Sequence, residues 1–157
     1  MNKFDIVVPV VAYNYDELTP ARRALVDLAR EASKRAYAPY SRFSVGAAIR
    51  LDNGETVTGS NQENAAFPSG LCAERTTAYY AHSRYPDARF EAIAIAAIDT
   101  TGHEIASPVA PCGACRQALT EYEKLAGHDV EVILVGADDI YVLPSVASTL
   151  PLTFSEF

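Results

Sequence analysis

A chain of 157 residues, 49% of them hydrophobic, supports one well-buried core and is short for two domains. Its formal net charge of −7 runs against polyanion binding, which draws its non-specific affinity from Lys and Arg neutralising phosphates, so a small-molecule ligand is favoured over DNA or RNA and no nucleic-acid partner is expected. An odd number of cysteines, two of the three in a C-x-x-C, suits a reducing compartment better than a disulfide framework and points to the cytoplasm.

The apolar run from Ile6 to Ala12 follows Asp5 and is far shorter than a membrane span or the apolar part of an export signal, so neither membrane nor targeting segment is expected. Thr19-Pro20 sets an N-cap before a proline at the first helical position. Leu25, Leu28, Ala29, Ala32 and Ala36 then recur at helical spacing, predicting a first helix to about Tyr37. Strands over 43–51 and 55–61 flank Asp52-Asn53-Gly54, where Asn-Gly suits a tight antiparallel hairpin. Pro68-Ser69 punctuates the chain before a second helix that begins near Gly70 or Leu71 and runs to about Arg84. The nearly unbroken apolar run 90–98 reads as a strand covered on both faces. A loop bracketed by Pro108 and Pro111 leads to a third helix from Cys112 to about Leu125, stopped by Gly127, and strands follow at 130–135 and around 140–142. The alternation predicts a three-layer α/β/α sandwich: a mixed five-stranded sheet opened by the hairpin, with helices on both faces.

All the cysteines fall in two short motifs, Leu71-Cys72-Ala73-Glu74-Arg75 and Pro111-Cys112-Gly113-Ala114-Cys115-Arg116. A structural zinc is usually closed by four protein ligands, whereas a catalytic one keeps three and leaves a position for water, so Cys72, Cys112 and Cys115 point to an open site. Cys112 and Cys115, three apart at a helix start, present their sulfurs on one side of a turn; Cys72 likewise opens its helix, and helix N-termini favour thiolate. Three thiolates and Zn²⁺ sum to about one negative charge, which weakens the metal's power to acidify water. A guanidinium hydrogen-bonded to a ligand sulfur offsets this, and Arg75 is the preferred candidate, with Arg116 equally readable as a solvated surface residue. Glu74, two residues beyond Cys72, is badly placed to coordinate the same ion. It reads either as a proton shuttle to the bound water or as an ordinary first-turn glutamate stabilised by the helix dipole.

On these residues the chain resembles the cytidine deaminase family, in its small, homotetrameric, three-cysteine branch. The similarity extends to Tyr40-Ser41-Arg42-Phe43-Ser44-Val45-Gly46, to Gly59-Ser60-Asn61-Gln62-Glu63-Asn64 and to Leu150-Pro151-Leu152-Thr153-Phe154, covering roughly Leu18 to Phe154. It implies one catalytic domain over 18–157; residues 1–17 extend beyond the family's usual start, and Ile6 to Ala12 read either as an additional edge strand or as a segment that packs on a partner subunit. It implies one Zn²⁺ per chain on Cys72, Cys112 and Cys115, with Glu74 as general acid and base. Asn61 and Glu63 would bind the ribose 3′-hydroxyl, Phe43 would stand beside the base, and the backbone of Ala73 and Cys112 would hold the pyrimidine edge. Phe154 would reach a neighbouring subunit's site in a homotetramer, from a tail that also holds Leu150, Leu152 and Phe157. Phe67 departs from the family's usual tyrosine, removing a hydroxyl.

The implied reaction is hydrolysis of cytidine or deoxycytidine to uridine or deoxyuridine and ammonia, as in pyrimidine salvage. A deaminase of a modified nucleoside antibiotic of the blasticidin type shares the cysteine motifs, although Asn61-x-Glu63-Asn64 argues for ordinary ribose. Cys112-Gly113-Ala114-Cys115 also has the form of a thiol oxidoreductase pair, a reading that leaves Cys72 and Glu74 unexplained. A closed zinc module completed by His82, His103 or His128 lacks any suitable spacing from the cysteines.

Overall fold

The structure, a computed structural model, describes residues 1–155, so Phe157 lies outside the described residues. In chain order the elements are β1 (Val11–Tyr13), α1 (Pro20–Ser33), β2 (Ser44–Leu51), β3 (Thr56–Ser60), α2 (Ala73–Arg84), β4 (Phe90–Ile98), α3 (Gly113–Ala126), β5 (Glu131–Val135) and β6 (Ile140–Leu143). The sheet runs β1-β6-β5-β4-β2-β3, with β4 and β5 parallel and the other pairs antiparallel.

The expected five strands become six: of the two readings of the N-terminal segment the edge strand is the one that forms, displaced to Val11–Tyr13 from the Ile6–Ala12 run. The extra one is β1, where Val11, Ala12 and Tyr13 pair with Val142, Tyr141 and Ile140 of β6. Three residues are too few for a period-two pattern to register, and Pro9, which has no N–H to donate, interrupts the run just before them. The pairing covers backbone groups that β6 would otherwise expose at the sheet edge. Residues 1–10 themselves are exposed, including Phe4, Ile6, Val7 and Val8.

Helix α1 starts as its cap predicts, with Thr19 Oγ1 accepting from the Arg22 N–H, but it ends at Ser33 and not near Tyr37. The reason is long-range: Tyr37 N–H donates to the Asn61 carbonyl at 3.0 Å, and Glu63 N–H donates to the Tyr37 carbonyl at 2.8 Å. Extended pairing at Tyr37 is incompatible with helical backbone, and Pro39 disfavours it at Ala38 as well. The loop that follows is thereby laid along residues 61–64.

The two faces of the sheet are filled differently. Toward α1 they present Ala48, Ala92, Ala94 and Ala96 with Ile133 and Val135, against Leu25, Val26 and Ala29 of the helix. Small residues let the helix approach closely; a Cβ on Gly46 would fall 2.2 Å from the Ala29 carbonyl oxygen. On the opposite face Ala47, Ile49, Ile93, Ile95, Val132 and Leu134 pack with Ala73, Ala78 and Ala81 of α2 and Leu119 of α3. A Cβ on Gly59 would lie 2.6 Å from Thr77 Oγ1, so β3 also holds α2 tightly. Helix α2 enters β4 and α3 leaves it, so both N-termini sit beyond the carboxyl end of β4, where open α/β sheets characteristically bind ligands.

Candidate active site

Cys72 is the N-cap residue of α2 and Cys112 that of α3, while Cys115 lies in the first turn of α3. The sulfurs of Cys72 and Cys112 are 3.9 Å apart and those of Cys112 and Cys115 are 3.4 Å apart. All three lie within 4.8 Å of one another, and Glu74 is outside this cluster. Four-coordinate zinc with Zn–S bonds of about 2.3 Å requires sulfurs roughly 3.8 Å apart, so the triad fits zinc held by three thiolates with one position left for another ligand.

The electrostatics support the same reading. Neither cysteine side chain at the N-cap positions makes a capping bond, so both are left to other partners. The Cys72 thiol is pulled down to about 5, first by a hydrogen bond with Cys115 and also by Arg75 and Cys112. Cys115 is pushed far up, by the same contact with Cys72, then by burial and by the negative charge of Glu74. Adjacent thiolates repel, and a cation among them removes that conflict. Arg75 Nη2 donates to Cys72 Sγ at 3.5 Å, the contact expected of it. Arg116, half-buried, is bound elsewhere than at sulfur: its Nε donates to the Pro111 carbonyl and its Nη1 to the Thr149 carbonyl, each at 2.7 Å.

Glu74 stands on the first turn of α2 and is only 5% exposed. Burial, followed by the nearby Cys72, raises its carboxyl above the ordinary range. A buried carboxyl with raised proton affinity is suited to take a proton from a nearby water. The histidines are engaged elsewhere: His82 packs on the Tyr122 ring, His103 bonds Thr101 and His128 bonds the Asp129 carbonyl.

A cavity of about 560 Å³ opens beside Cys72, within the size range of small-molecule sites. Asn61, Gln62, Glu63 and Asn64 line one side; Tyr40 and Phe67, with rings packed edge to face at 5.9 Å, supply aromatic wall; Leu71, Cys72 and Arg75 complete it. Asn61 Oδ1 accepts from Val45 N–H at 2.7 Å and Nδ2 donates to the Phe43 carbonyl at 2.9 Å, so this amide fixes the start of β2 and keeps one N–H in reserve. Glu63 Oε2 accepts from the N–H groups of Tyr40 and Ser41, at 2.9 and 3.2 Å. Hydrogen bonding with Ser41, with the Tyr40 and Ser41 N–H groups adding to it, holds its carboxyl below the usual range. Phe43 precedes β2 and is absent from the lining, while Ala73 opens α2 with its side chain fully buried. Phe154 is 68% exposed and also outside that lining. No aromatic wall is assigned to Tyr40 or Phe67 from the sequence, although Tyr40 opens one of the segments that carry the family resemblance and Phe67 stands where the family usually has a tyrosine.

The family described as "Cytidine and deoxycytidylate deaminase zinc-binding region" matches residues 20–126. A cytidine deaminase of Halalkalibacterium halodurans is 38% identical over 134 residues, covering 85% of this chain and 94% of that protein. One from Mycobacterium tuberculosis is 43% identical over 105 residues, covering 65% of this chain and 74% of the relative. In three dimensions the chain is similar to the crystal structure of a cytidine deaminase from Burkholderia pseudomallei, with a TM-score of 0.71 and 37% identity over 87% of this chain and all of that one.

Proposed function

The chain belongs to the cytidine deaminase family, whose activity is zinc-dependent hydrolytic deamination of cytidine and deoxycytidine, and we propose how its own residues divide that work. The observation that carries the proposal is the meeting of three cysteine sulfurs at two helix N-termini with a buried glutamate beside them and outside their cluster. Cys72, Cys112 and Cys115 would hold one Zn²⁺, which when bound supplies Lewis acidity and lowers the pKa of water. Arg75 moderates the charge on Cys72 through its hydrogen bond.

Glu74 takes the proton of the attacking water and delivers it to ring nitrogen N3 as the oxygen adds to C4. It then carries a proton to the departing amine. The N–H groups opening α2 and α3, at Ala73 and Cys112, hold the pyrimidine edge, because first-turn amides have no partner within the helix. Asn61 and Glu63 bind the ribose, Glu63 being fixed by Tyr40 and Ser41 before any ligand arrives. Phe43, whose carbonyl accepts from the Asn61 amide, would stand beside the base once substrate is bound, as the family resemblance implies, although its ring is outside the cavity lining here. Incubation with cytidine, following the loss of its absorbance with zinc measured in the same sample, tests this directly; no turnover by zinc-loaded protein excludes the substrate.

Glu63→Ala raises KM for cytidine and lowers kcat less, because the sugar handle is lost while Glu74 stays in place. Steady-state kinetics on cytidine measure it, and unchanged constants leave Glu63 as a loop anchor only.

The catalytic domain is taken as 18–157, with 1–17 as an extension that contributes β1 to its sheet. We assign the enzyme to pyrimidine salvage in the cytoplasm; no helix among the described residues is long and apolar enough to cross a membrane. We propose a homotetramer in which Phe154, projecting from its own subunit, caps a neighbour's cavity. Light scattering is expected to give four chains, and Phe154→Ala to raise KM with little change in melting temperature. A fully active monomer at every dilution rules the shared site out.

A further inference from the structure

Helix α3 reaches toward the C-terminal segment with a row of polar side chains. Glu123 accepts from the N–H groups of Val146 and Ala147, at 2.6 and 2.9 Å, at the start of the 3₁₀ turn Ala147–Thr149. Arg116, one heptad earlier on the same helix face, donates to the Thr149 carbonyl at the end of that turn. An anion at the start and a cation at the end match the polarity of the turn's backbone groups. Beyond it, Gln117 Nε2 donates to the Phe154 carbonyl at 2.8 Å and Lys124 Nζ to the Ser155 carbonyl at 2.7 Å.

Glu123 also accepts from the Val130 N–H at 2.9 Å, at the entry to β5, whereas the second arm of Arg116 goes to the Pro111 carbonyl, and Pro111 immediately precedes Cys112. In a planar trans peptide the Cys112 N–H points opposite to that carbonyl, so holding the oxygen also sets the direction of the N–H and the entry of Cys112 into α3. Two charge-assisted bonds from one rigid, planar fork hold both carbonyls at once, which a lysine ammonium on a flexible stem does poorly.

We propose that Arg116 is a positioning residue that joins the Pro111-Cys112 turn to the C-terminal tail, so that one guanidinium fixes both a metal-ligating loop and the segment bearing Phe154. The proposal rests on the reading of Cys112 as a zinc ligand. It makes no demand on which nucleoside is deaminated.

The test compares wild type, Arg116→Met and Arg116→Lys as zinc-loaded full chains. Two readouts are taken: the rate of zinc release to a competing chelator, and amide hydrogen exchange across 150–155 referred to exchange across α1. Arg116→Met is expected to release zinc roughly 10-fold faster, at the low end for loss of a contact that supports a metal ligand. It also speeds exchange in the tail while α1 stays protected. Arg116→Lys is expected to leave at least one readout impaired, because one ammonium does not hold both carbonyls in place. Wild-type zinc release or wild-type tail exchange in Arg116→Met overturns the proposal. Should that variant not fold, Arg116→Lys decides alone, and wild-type behaviour in both readouts overturns it. Zinc release and exchange are read without substrate, so inactivity on cytidine would refute the substrate and leave this result standing. Zinc-free wild type as isolated would refute the ligand set instead.

Discussion

Glu74→Gln is expected to lower kcat for cytidine by roughly 10²- to 10⁴-fold, the range for removing one general acid and base, and by more if both proton transfers depend on it. The amide keeps the size of the side chain, so the first turn of α2 and its burial at 5% exposure are preserved. Glutamine cannot exchange a proton with water and then with a ring nitrogen. Burial, the first cause, raises the carboxyl above its ordinary range and so strengthens it as a proton acceptor. Glu74 lies outside the cysteine cluster, so zinc content should stay at the wild-type level. Measuring kcat and bound zinc on the same preparation separates the roles. Near-normal turnover with zinc bound removes Glu74 from proton transfer.

Cys72→Ala is expected to abolish tight zinc binding and to lower the melting temperature. Cys112 and Cys115 come from one turn of α3, so Cys72 is the sulfur that ties α2 to it. Zinc binding free energy is folding free energy when the ligands are brought together by the fold. The Cys72 side chain makes no capping bond to its own helix, so the substitution removes little from α2 directly. The sign follows: zinc-loaded wild type melts above Cys72→Ala, and the difference largely disappears when wild type is stripped by a chelator. A variant that still holds one zinc tightly refutes the three-cysteine shell. One that loses zinc but melts with the loaded wild type refutes the tie between the helices.

Local chemistry wrote most of this molecule legibly. Asn53-Gly54 predicts the hairpin, and Gly54 takes φ of 87° between β2 and β3. Gly127 predicts the end of α3 and takes φ of 70° there. The apolar run 90–98 is β4 to the residue, because a central strand buried on both faces admits a polar side chain only near its end, at Glu91, which pairs with Arg50. The metal chemistry was legible for a similar reason: thiolates are few, their spacing is fixed by one helical turn, and their number limits the coordination shell.

What the chain alone left open depends on pairing across distance. Helical periodicity through Ala36 overran α1, since only the partner at Asn61 and Glu63 draws Tyr37 out of the helix. Strand β1 exists because β6 offers it an edge, and nothing in its own three residues requires it. Arg116 follows its cysteine in the sequence just as Arg75 nearly does, yet the fold sends Arg75 to sulfur and Arg116 to two carbonyls, one of them 33 residues away. Most elements and the three-cysteine set were legible in the chain itself, because propensity, turn geometry and ligand type are local properties. Tertiary structure decided where helices stop, which strands close the sheet and what each arginine holds, because hydrogen-bond partners remote in sequence become neighbours only once the sheet is assembled.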